Sequence, residues 1–394
     1  MNTTPRAARL ATFAYFALNG FVLGMWIVHI PEIEHRAGVG HATLGWLLLL
    51  LGAGAFAGMQ IVGPLTDRLG ARTVVPLSAA LCSATVVLPG LAGSAWTLGA
   101  ALLLLGIGNG SLDVSMNAHA VQVEQAYRRP VMSAFHATFS IGGVLAALAG
   151  ARTLGQDWSP AWTLGAVAAL GLVVAIAAAP ALLRSDTGTA EETVAEPGVR
   201  RRTPRRIWGL AVLALMIMMC EGVANDWSTL HLSTVLDAPA ATAALAYGAF
   251  ATAMTVGRFV VDRVAARVGP LAVLRGGASV AAAGLVAAAL SPWIPLAVAG
   301  WAVFGAGLSG CVPQLFSAAG HADPGAAGAN VSRVAGLGYL GMLAGPAIIG
   351  PLTHFVPLNI TFLLPVACCV VAAAAAGVLR PAETAPARQE VAAA

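Results

Sequence analysis

Lysine is absent from this 394-residue sequence, and charged residues of all kinds make up only 10% of it. An ordinary globular domain is about one quarter charged, so this composition does not predict a soluble domain. Hydrophobic residues instead make up 58% of the chain, and the mean hydropathy is +0.81. The sequence therefore predicts an integral membrane protein.

Cysteine is scarce as well, and all five cysteines fall inside apolar runs. Thiols in such positions are expected to pack against neighbours rather than to form disulfides or bind metal. The histidines show no ligand spacing, and the pair Gly106-x-Gly108 follows no predicted strand, as a nucleotide loop would. We expect no cofactor, no metal site and no enzymatic activity.

Apolar runs of about 20 residues are long enough to cross a bilayer as helices. Twelve such runs are present, six on each side of a polar segment, and they predict an all-α membrane protein built from two pseudo-symmetric six-helix bundles. The boundaries predicted are 1–183 for the first bundle, 184–206 for a cytoplasmic linker and 207–394 for the second bundle with its short tail. The predicted spans are 10–30, 43–65, 73–93, 96–120, 131–151, 161–183, 207–231, 241–261, 271–290, 293–319, 333–354 and 358–379.

A charged motif, D-R-x-x-x-R, occurs once in each half, directly after the second long apolar run. The first copy consists of Asp67, Arg68 and Arg72, and the second of Asp262, Arg263 and Arg267. The pairs Gly106-x-Gly108 and Gly305-x-Gly307 also repeat, in the fourth and tenth spans, and predict close helix crossings there. Compositional bias towards small residues facing lipid is the alternative for the glycines. The repeats indicate an internally duplicated membrane protein.

Two stretches resemble a known family. Gly63, Leu65, Asp67, Arg68, Gly70 and Arg72 resemble the signature between the second and third spans of the major facilitator superfamily (MFS). The stretches 109–117 and 129–136, together with 221–228, resemble its YbjJ-type branch, which is similar to sugar permeases of the fucose-permease kind. The resemblance implies two bundles around a central cavity that opens alternately to either side of the membrane.

The arginines predict how the chain lies in the membrane. Those in alternate connections and near the termini far outnumber the two on the opposite side, Arg36 and Arg152. By the positive-inside rule, both termini and the linker are cytoplasmic, and the chain is a multi-pass protein of the cell inner membrane. Because the arginines lie in short connections rather than across one surface, nucleic acid is not an expected partner.

The repeated acids predict two latches between the bundles on the cytoplasmic side. A carboxylate is stabilised beside the positive N-terminus of a helix, so Asp67 is expected near 330–333 and Asp262 near Arg129 and Ser133. The alternative is that Asp67 and Arg68 only fix the loop topology. The full predicted gating set is Asp67, Arg68, Arg72, Asp262, Arg263, Arg267 and Arg333.

Polar stripes on the fourth and fifth spans point to a membrane-embedded site. Asn109, Asp113 and Asn117 recur every four residues, and Ser133, His136 and Ser140 at spacings of three and four. Asp113 and His136 lie at similar depth, which predicts a direct contact. That contact could carry a proton or hold solute, or it could simply lock two helices together.

Glu221 is the predicted proton carrier, because it lies near the bilayer middle, where desolvation favours its neutral form. No cation is expected at its depth. Asn225 is predicted on the same helix face, whereas Asp226 lies about 140° around the helix and is expected at an outer gate or in helix packing. Asp113, His136 and Asp226 complete the predicted proton-coupling set.

The predicted solute-binding residues are Tyr15, Asn19, Trp26, Asn109, Asn117, Ser140 and Asn225. An aromatic stripe of this kind is also common in plain helix packing. No arginine lies near the middle of the first, fourth, seventh or tenth span, so a neutral or cationic solute is expected. The partners expected are a small solute, protons and the lipid bilayer, with the chain acting as a monomer.

The sequence thus favours a secondary transporter that moves a small neutral or amphipathic solute, sugar-like or another metabolite, by alternating access with proton coupling. One alternative is a drug or metabolite exporter working as a proton antiporter. Exporters of that kind carry an arginine in the fourth span, where this chain has none. The other alternative is a non-transporting membrane sensor built on a transporter fold, against which Glu221 and Asp113 argue.

Overall fold

The computed structural model describes residues 4–39, 41–184 and 203–380, and this described part is helical with no strand. It confirms the predicted fold class. The predicted boundaries of the bundles stay a prediction, because residues 185–202 of the linker and residues 381–394 of the tail lie outside the described residues.

The helices follow the twelve predicted runs and extend past most of them. In chain order they are α1 (Pro5–Ala37), α2 (His41–Leu69), α3 (Ala71–Thr85), α4 (Val87–Leu91), α5 (Ala95–Tyr127), α6 (Met132–Leu154), α7 (Pro160–Ala178), α8 (Arg205–Val235), α9 (Ala240–Val268), α10 (Pro270–Leu290), α11 (Ile294–Leu308), α12 (Cys311–Ala322), α13 (Ala327–Leu352), α14 (Leu358–Thr361) and α15 (Leu363–Ala375). Short 3-10 turns follow α7, precede α13 and follow α15, the last at Ala376–Leu379.

Eleven of the spans in the described chain are long and apolar enough to cross a membrane by length and composition. The twelfth run is α9, whose second half carries Arg258, Asp262, Arg263 and Arg267. The helices are longer than the predicted runs because they continue into polar residues beyond the apolar core. At a rise of 1.5 Å per residue, the 33-residue α1 is about 50 Å long, against about 30 Å of hydrocarbon.

Three of the runs contain a break between two shorter helices. Proline cannot donate a hydrogen bond to the carbonyl four residues earlier, and its ring crowds that position. The breaks, at Val86, Ser309-Gly310 and Phe362, come three or four residues before Pro89, Pro313 and Pro365. Proline thus accounts for the interruptions in the third, tenth and twelfth spans.

Helices α1–α7 pack into one bundle and α8–α15 into another, with related close pairs in each. In the first bundle α2 packs on α5, and a Cβ placed on Gly106 would lie 2.1 Å from the carbonyl oxygen of Leu51. In the second, α9 packs on α11, and a Cβ on Gly305 would lie 2.2 Å from the carbonyl oxygen of Phe250. The predicted close crossings of the repeated glycines are therefore confirmed.

The two bundles meet mainly through α2 against α13 and α6 against α9, with α12 also touching α5 and α6. We call the face where α1 and α8 begin and where the described chain ends at Arg380 the terminal face. Alternating chain direction places the end of α2 and the start of α13 on this face, and likewise the end of α9 and the start of α6.

Adding a methyl group to either repeated glycine should destabilise the protein. The new Cβ would meet backbone that cannot move aside, and overpacking costs about 1–3 kcal/mol. We expect Gly106→Ala and Gly305→Ala each to lower the melting temperature in detergent. Gly143→Ala is the control, since a Cβ at that helical position meets nothing within 4 Å. Equal melting temperatures for all three variants would contradict the close crossings.

Candidate functional site: a polar cavity between the bundles

A cavity of about 100 Å³ lies at the bundle interface and is lined by ionisable side chains from both bundles. Asp113 and His136 come from the first bundle, and Glu221 and Arg258 from the second. The remaining lining is aromatic and sulfur-containing: Phe16, Met116, Phe139, Met218, Phe316, Tyr339 and Met342, with Val312. Ligand pockets usually exceed about 300 Å³, so the site is contracted in this structure.

On the first-bundle side, Asn117 joins Asp113 to His136. The Asn117 Nδ2 group donates to the Asp113 carbonyl at 2.8 Å and lies 3.3 Å from its Oδ1, while Asn117 Oδ1 lies 3.2 Å from His136 Nε2. The described chain shows no direct hydrogen bond or ion pair between Asp113 and His136, so the predicted direct contact is wrong. Asn117 instead hydrogen-bonds to both residues and bridges them.

Asp113 keeps one acceptor free. Its side chain is buried, and Oδ2 has no hydrogen-bond partner within the described residues. An unpaired buried acceptor carries a desolvation cost of roughly 1–3 kcal/mol. A solute hydroxyl that donates to Oδ2 would remove that cost.

On the second-bundle side, Glu221 forms an ion pair with Arg258, at 3.5 Å between Oε1 and the guanidinium. The expectation that no cation reaches the depth of Glu221 is therefore wrong. Arg258 lies one turn inward from Asp262 on α9, and its long side chain reaches to the cavity. An arginine's stem can span several ångströms along apolar surface, so its depth cannot be read from its position in the chain.

Arg258 also connects the bundles. Its guanidinium donates to the Ser140 hydroxyl of α6 at 2.9 Å, while its ion-pair partner Glu221 lies in its own bundle. Ser140 is thus placed beside the cavity, as a polar contact across the interface.

Carboxylates close the terminal face at two helix starts. Asp67 accepts hydrogen bonds from the backbone N–H groups of Gly328 at 2.6 Å and Ala329 at 2.8 Å, at the N-terminus of α13. Asp262 likewise accepts from Ser133 at 3.1 Å and Ala134 at 2.8 Å, at the N-terminus of α6. Each acid comes from the opposite bundle, which is the arrangement that the repeat predicts.

A third contact on this face was not predicted. Glu124 of α5 accepts the N–H groups of Val131 and Met132 at 3.0 and 3.1 Å through one oxygen, and its other oxygen accepts the hydroxyl of Ser317 on α12. Its second-half counterpart, Asp323, caps the turn before α13 through Gly325. An acid at the matching position of both halves was the feature of the sequence that could have identified Glu124.

Several predicted solute-binding residues lie within the bundles. Tyr15 donates to the Ala175 carbonyl of α7 at 2.8 Å, so its hydroxyl is used for packing of the first bundle. Trp26 is also fully buried. Asn19 and Asn109 are buried with amide atoms that have no partner in the described chain, and Asn109 lies one turn from Asp113 on α5.

The remaining predicted residues lie away from the cavity. Asn225 and Asp226 are exposed on α8 and do not line the cavity. Arg72 donates to the Pro180 carbonyl at 3.4 Å, and Arg333 donates to Asn330 at 3.2 Å. Arg68, Arg263 and Arg267 are exposed on the terminal face.

The family follows from comparison with known proteins. The model of the Major Facilitator Superfamily matches residues 11–346. The chain belongs to the major facilitator superfamily. This confirms the resemblance that the sequence motifs indicated.

Individual relatives agree with this membership. An MFS-type transporter of Yersinia pestis is 33% identical over 90% of this chain and 91% of its own. The membrane protein MosC of Rhizobium meliloti is 32% identical over 91% of this chain and 87% of its own. The crystal structure of the MFS transporter FucP in its outward conformation has a TM-score of 0.80 at 16% identity, covering 95% and 98% of the two chains. FucP is described as a fucose:proton symporter of E. coli.

Neutralising Asp67 should loosen the terminal face, because Asn cannot supply two anionic acceptors to the start of α13. Ser133→Cys provides the reporter: the residue is buried at the second latch, and the native cysteines are buried. We expect faster labelling of that cysteine by a membrane-impermeant maleimide in Asp67→Asn.

Asp157→Asn is the control for the Asp67 variant. Asp157 lies in the loop between α6 and α7 on the opposite face and has a φ of 56°, a conformation that Asn adopts readily. If labelling in Asp67→Asn is no faster than in Asp157→Asn, Asp67 does not hold the face closed.

Asp113 and His136 should be energetically coupled through Asn117. In a double-mutant cycle of Asp113→Asn and His136→Gln, we expect non-additive melting temperatures that correspond to about 0.5–1.5 kcal/mol. Repeating the cycle in an Asn117→Ala background should abolish the coupling. Coupling that survives in that background would show that the two residues interact by another route.

Proposed function

We propose that this protein is a secondary active transporter that couples a proton to the movement of a small neutral solute by alternating access. The observation that carries the proposal is one cavity between two bundles, with Glu221 and Asp113 facing it from opposite sides. Buried ionisable groups are costly in a membrane and usually belong to a transport path. The membership in a transporter family supports the same conclusion.

The proposed coupling runs through the Glu221–Arg258 pair. In this structure the guanidinium of Arg258 lies 3.5 Å from Glu221 Oε1. Arg258 also donates a hydrogen bond to Ser140 of the other bundle. Separating the bundles at the terminal face therefore displaces the side chain that forms the ion pair with Glu221. A Glu221 left without its partner in an apolar site gains from taking up a proton. Gate opening and protonation are thereby linked.

A neutral solute fits the charges of the cavity. The sequence predicted a neutral solute because no cation was expected near the middle of the membrane. Arg258 reaches the cavity, so that reason no longer holds. Its charge is however paired with Glu221, so it does not stand free to bind an anion. Within the described residues, Oδ2 of Asp113 in the cavity and the amide oxygen of Asn109, one turn away on α5, lack hydrogen-bond partners and suit hydroxyl groups. The likeness to FucP, a fucose:proton symporter, favours a sugar-like solute.

We further propose that the terminal face is the cytoplasmic face of a monomer in the cell inner membrane. The described arginines support this orientation, since Arg36 and Arg152 are the two that lie towards the opposite face. The closed latches then correspond to a cytoplasmic gate that is shut.

Glu221→Gln should separate solute binding from energy coupling. The change is nearly isosteric and leaves the residue permanently neutral, so binding and solute exchange should persist while uphill accumulation driven by a pH gradient disappears. A thermal-shift screen of neutral sugars and polyols identifies the solute, and flux is then measured in proteoliposomes with and without the gradient.

Asp226→Asn is the matched control for Glu221→Gln, because it removes an exposed acid from the same helix. It should leave accumulation unchanged. Accumulation that persists in Glu221→Gln would transfer the coupling role to Asp113. Loss of accumulation in both variants would point to general damage to α8 instead.

A further inference from the structure

A second cleft, of about 220 Å³, lies on the terminal face at the edge of the interface between α6 and α9. Three arginines from three separate elements line it: Arg9 of α1, Arg129 of the loop between α5 and α6, and Arg263 of α9. Arg9 and Arg129 belong to the first bundle and Arg263 to the second. The cleft is therefore cationic and shared by both bundles.

Among the described residues, the three arginines of this cleft outnumber its one carboxylate, Asp262. None of the three arginines forms an ion pair with a carboxylate within the described residues. Asp262 is the acid in the cleft, and both of its oxygens already accept the N–H groups of Ser133 and Ala134. Like charges held close together repel one another unless an anion lies between them.

Two of the guanidinium groups pack against aromatic rings. Arg9 lies 5.4 Å from the centre of the Tyr127 ring and 5.2 Å from that of Phe13, and Arg129 lies 5.4 Å from the Tyr127 ring. The Nε group of Arg9 is buried without a hydrogen-bond partner in the described chain. The shared ring keeps both cations at the cleft, at a cost that a bound anion would offset.

The surroundings of the cleft face lipid. Phe259 lines the cleft and is 45% exposed, and Val256, Val260 and Val264 on the same helix are exposed as well. Large apolar side chains left uncovered on a membrane-spanning bundle contact acyl chains. A lipid headgroup bound in this cleft would therefore place its acyl chain against an apolar surface.

We propose that Arg9, Arg129 and Arg263 bind the phosphate group of an anionic phospholipid, whose acyl chain lies along the exposed apolar side of α9. Arginine binds phosphate oxygens in a planar, bidentate manner. Because the three arginines come from both bundles and adjoin the Asp262 latch, the bound headgroup stabilises the closed terminal face. By linkage, closing that face strengthens lipid binding by the same factor. The proposal does not depend on which solute is transported.

Native mass spectrometry of the full-length protein in detergent tests the site. The probes are phosphatidylglycerol, phosphatidylcholine with the same acyl chains, and inorganic phosphate. We expect phosphatidylglycerol to be retained most strongly, and Arg263→Gln to weaken it about fivefold, from the roughly 1 kcal/mol that one arginine contributes near an anionic surface. Arg263→Lys should recover part of the loss.

Arg267→Gln is the matched control, because it removes the same charge one turn further along α9, outside the cleft. Equal effects of the two glutamine variants, or equal retention of both phospholipids, would show non-specific binding and overturn the proposal. If millimolar inorganic phosphate displaces phosphatidylglycerol and itself binds more weakly to Arg263→Gln, the ligand is a soluble anion and the lipid assignment is wrong.

The effect on the gate is measured separately. In nanodiscs, we expect phosphatidylglycerol to slow maleimide labelling of Ser133→Cys relative to pure phosphatidylcholine, and Arg263→Gln to abolish that difference. If Ser133→Cys, without the Arg263 substitution, is labelled at the same rate in both lipids, the proposed stabilisation of the closed face is refuted. This readout needs no solute, so its failure is distinct from a failure of the proposed transport function.

Discussion

The first N–H groups of a helix have no partner within that helix, and this constraint decides how the two bundles meet on the terminal face. At the start of α6, Glu124 from the same bundle takes two of these groups and Asp262 from the other bundle takes two more. At the start of α13, Asp67 takes two from across the interface. The bundles cannot separate here without exposing those donors, so a change of conformation requires water to replace the carboxylates.

Arg258 extends the same dependence into the membrane. It stands one turn inward from Asp262, so the latch and the Glu221 ion pair move as parts of one helix. The two side chains are only 12% and 19% exposed, so removing one partner leaves a poorly solvated charge on the other. The gate and the cavity are therefore connected by one helix, α9, through Asp262 and Arg258. No longer series of coupled residues is required.

The duplication preserved the packing of the halves and diversified their chemistry. Gly106 and Gly305 meet backbone at almost the same distance in the two bundles. Four residues before the repeated aspartates, however, Gly63 stands in the first half and Arg258 in the second. A Cβ on Gly63 would lie 2.5 Å from that of Ser332, so this interface is a close helix contact. The matching position between α6 and α9 holds a charged side chain instead. The interface between α2 and α13 is thus a close helix contact, and the interface between α6 and α9 contains a charged side chain.

The sequence alone determined the fold class, the twelve spans and the positions of the latches, because each depends on local hydropathy or on the register of a repeat. Asp67 and Asp262 could be placed beside helix starts from sequence for that reason. Only the tertiary structure decided which side chains meet inside the membrane. Asn117 lies between Asp113 and His136, Tyr15 bonds within its own bundle, and Arg258 reaches Glu221. Those contacts depend on helix rotation and on the length of flexible side chains, neither of which is set by spacing along the chain.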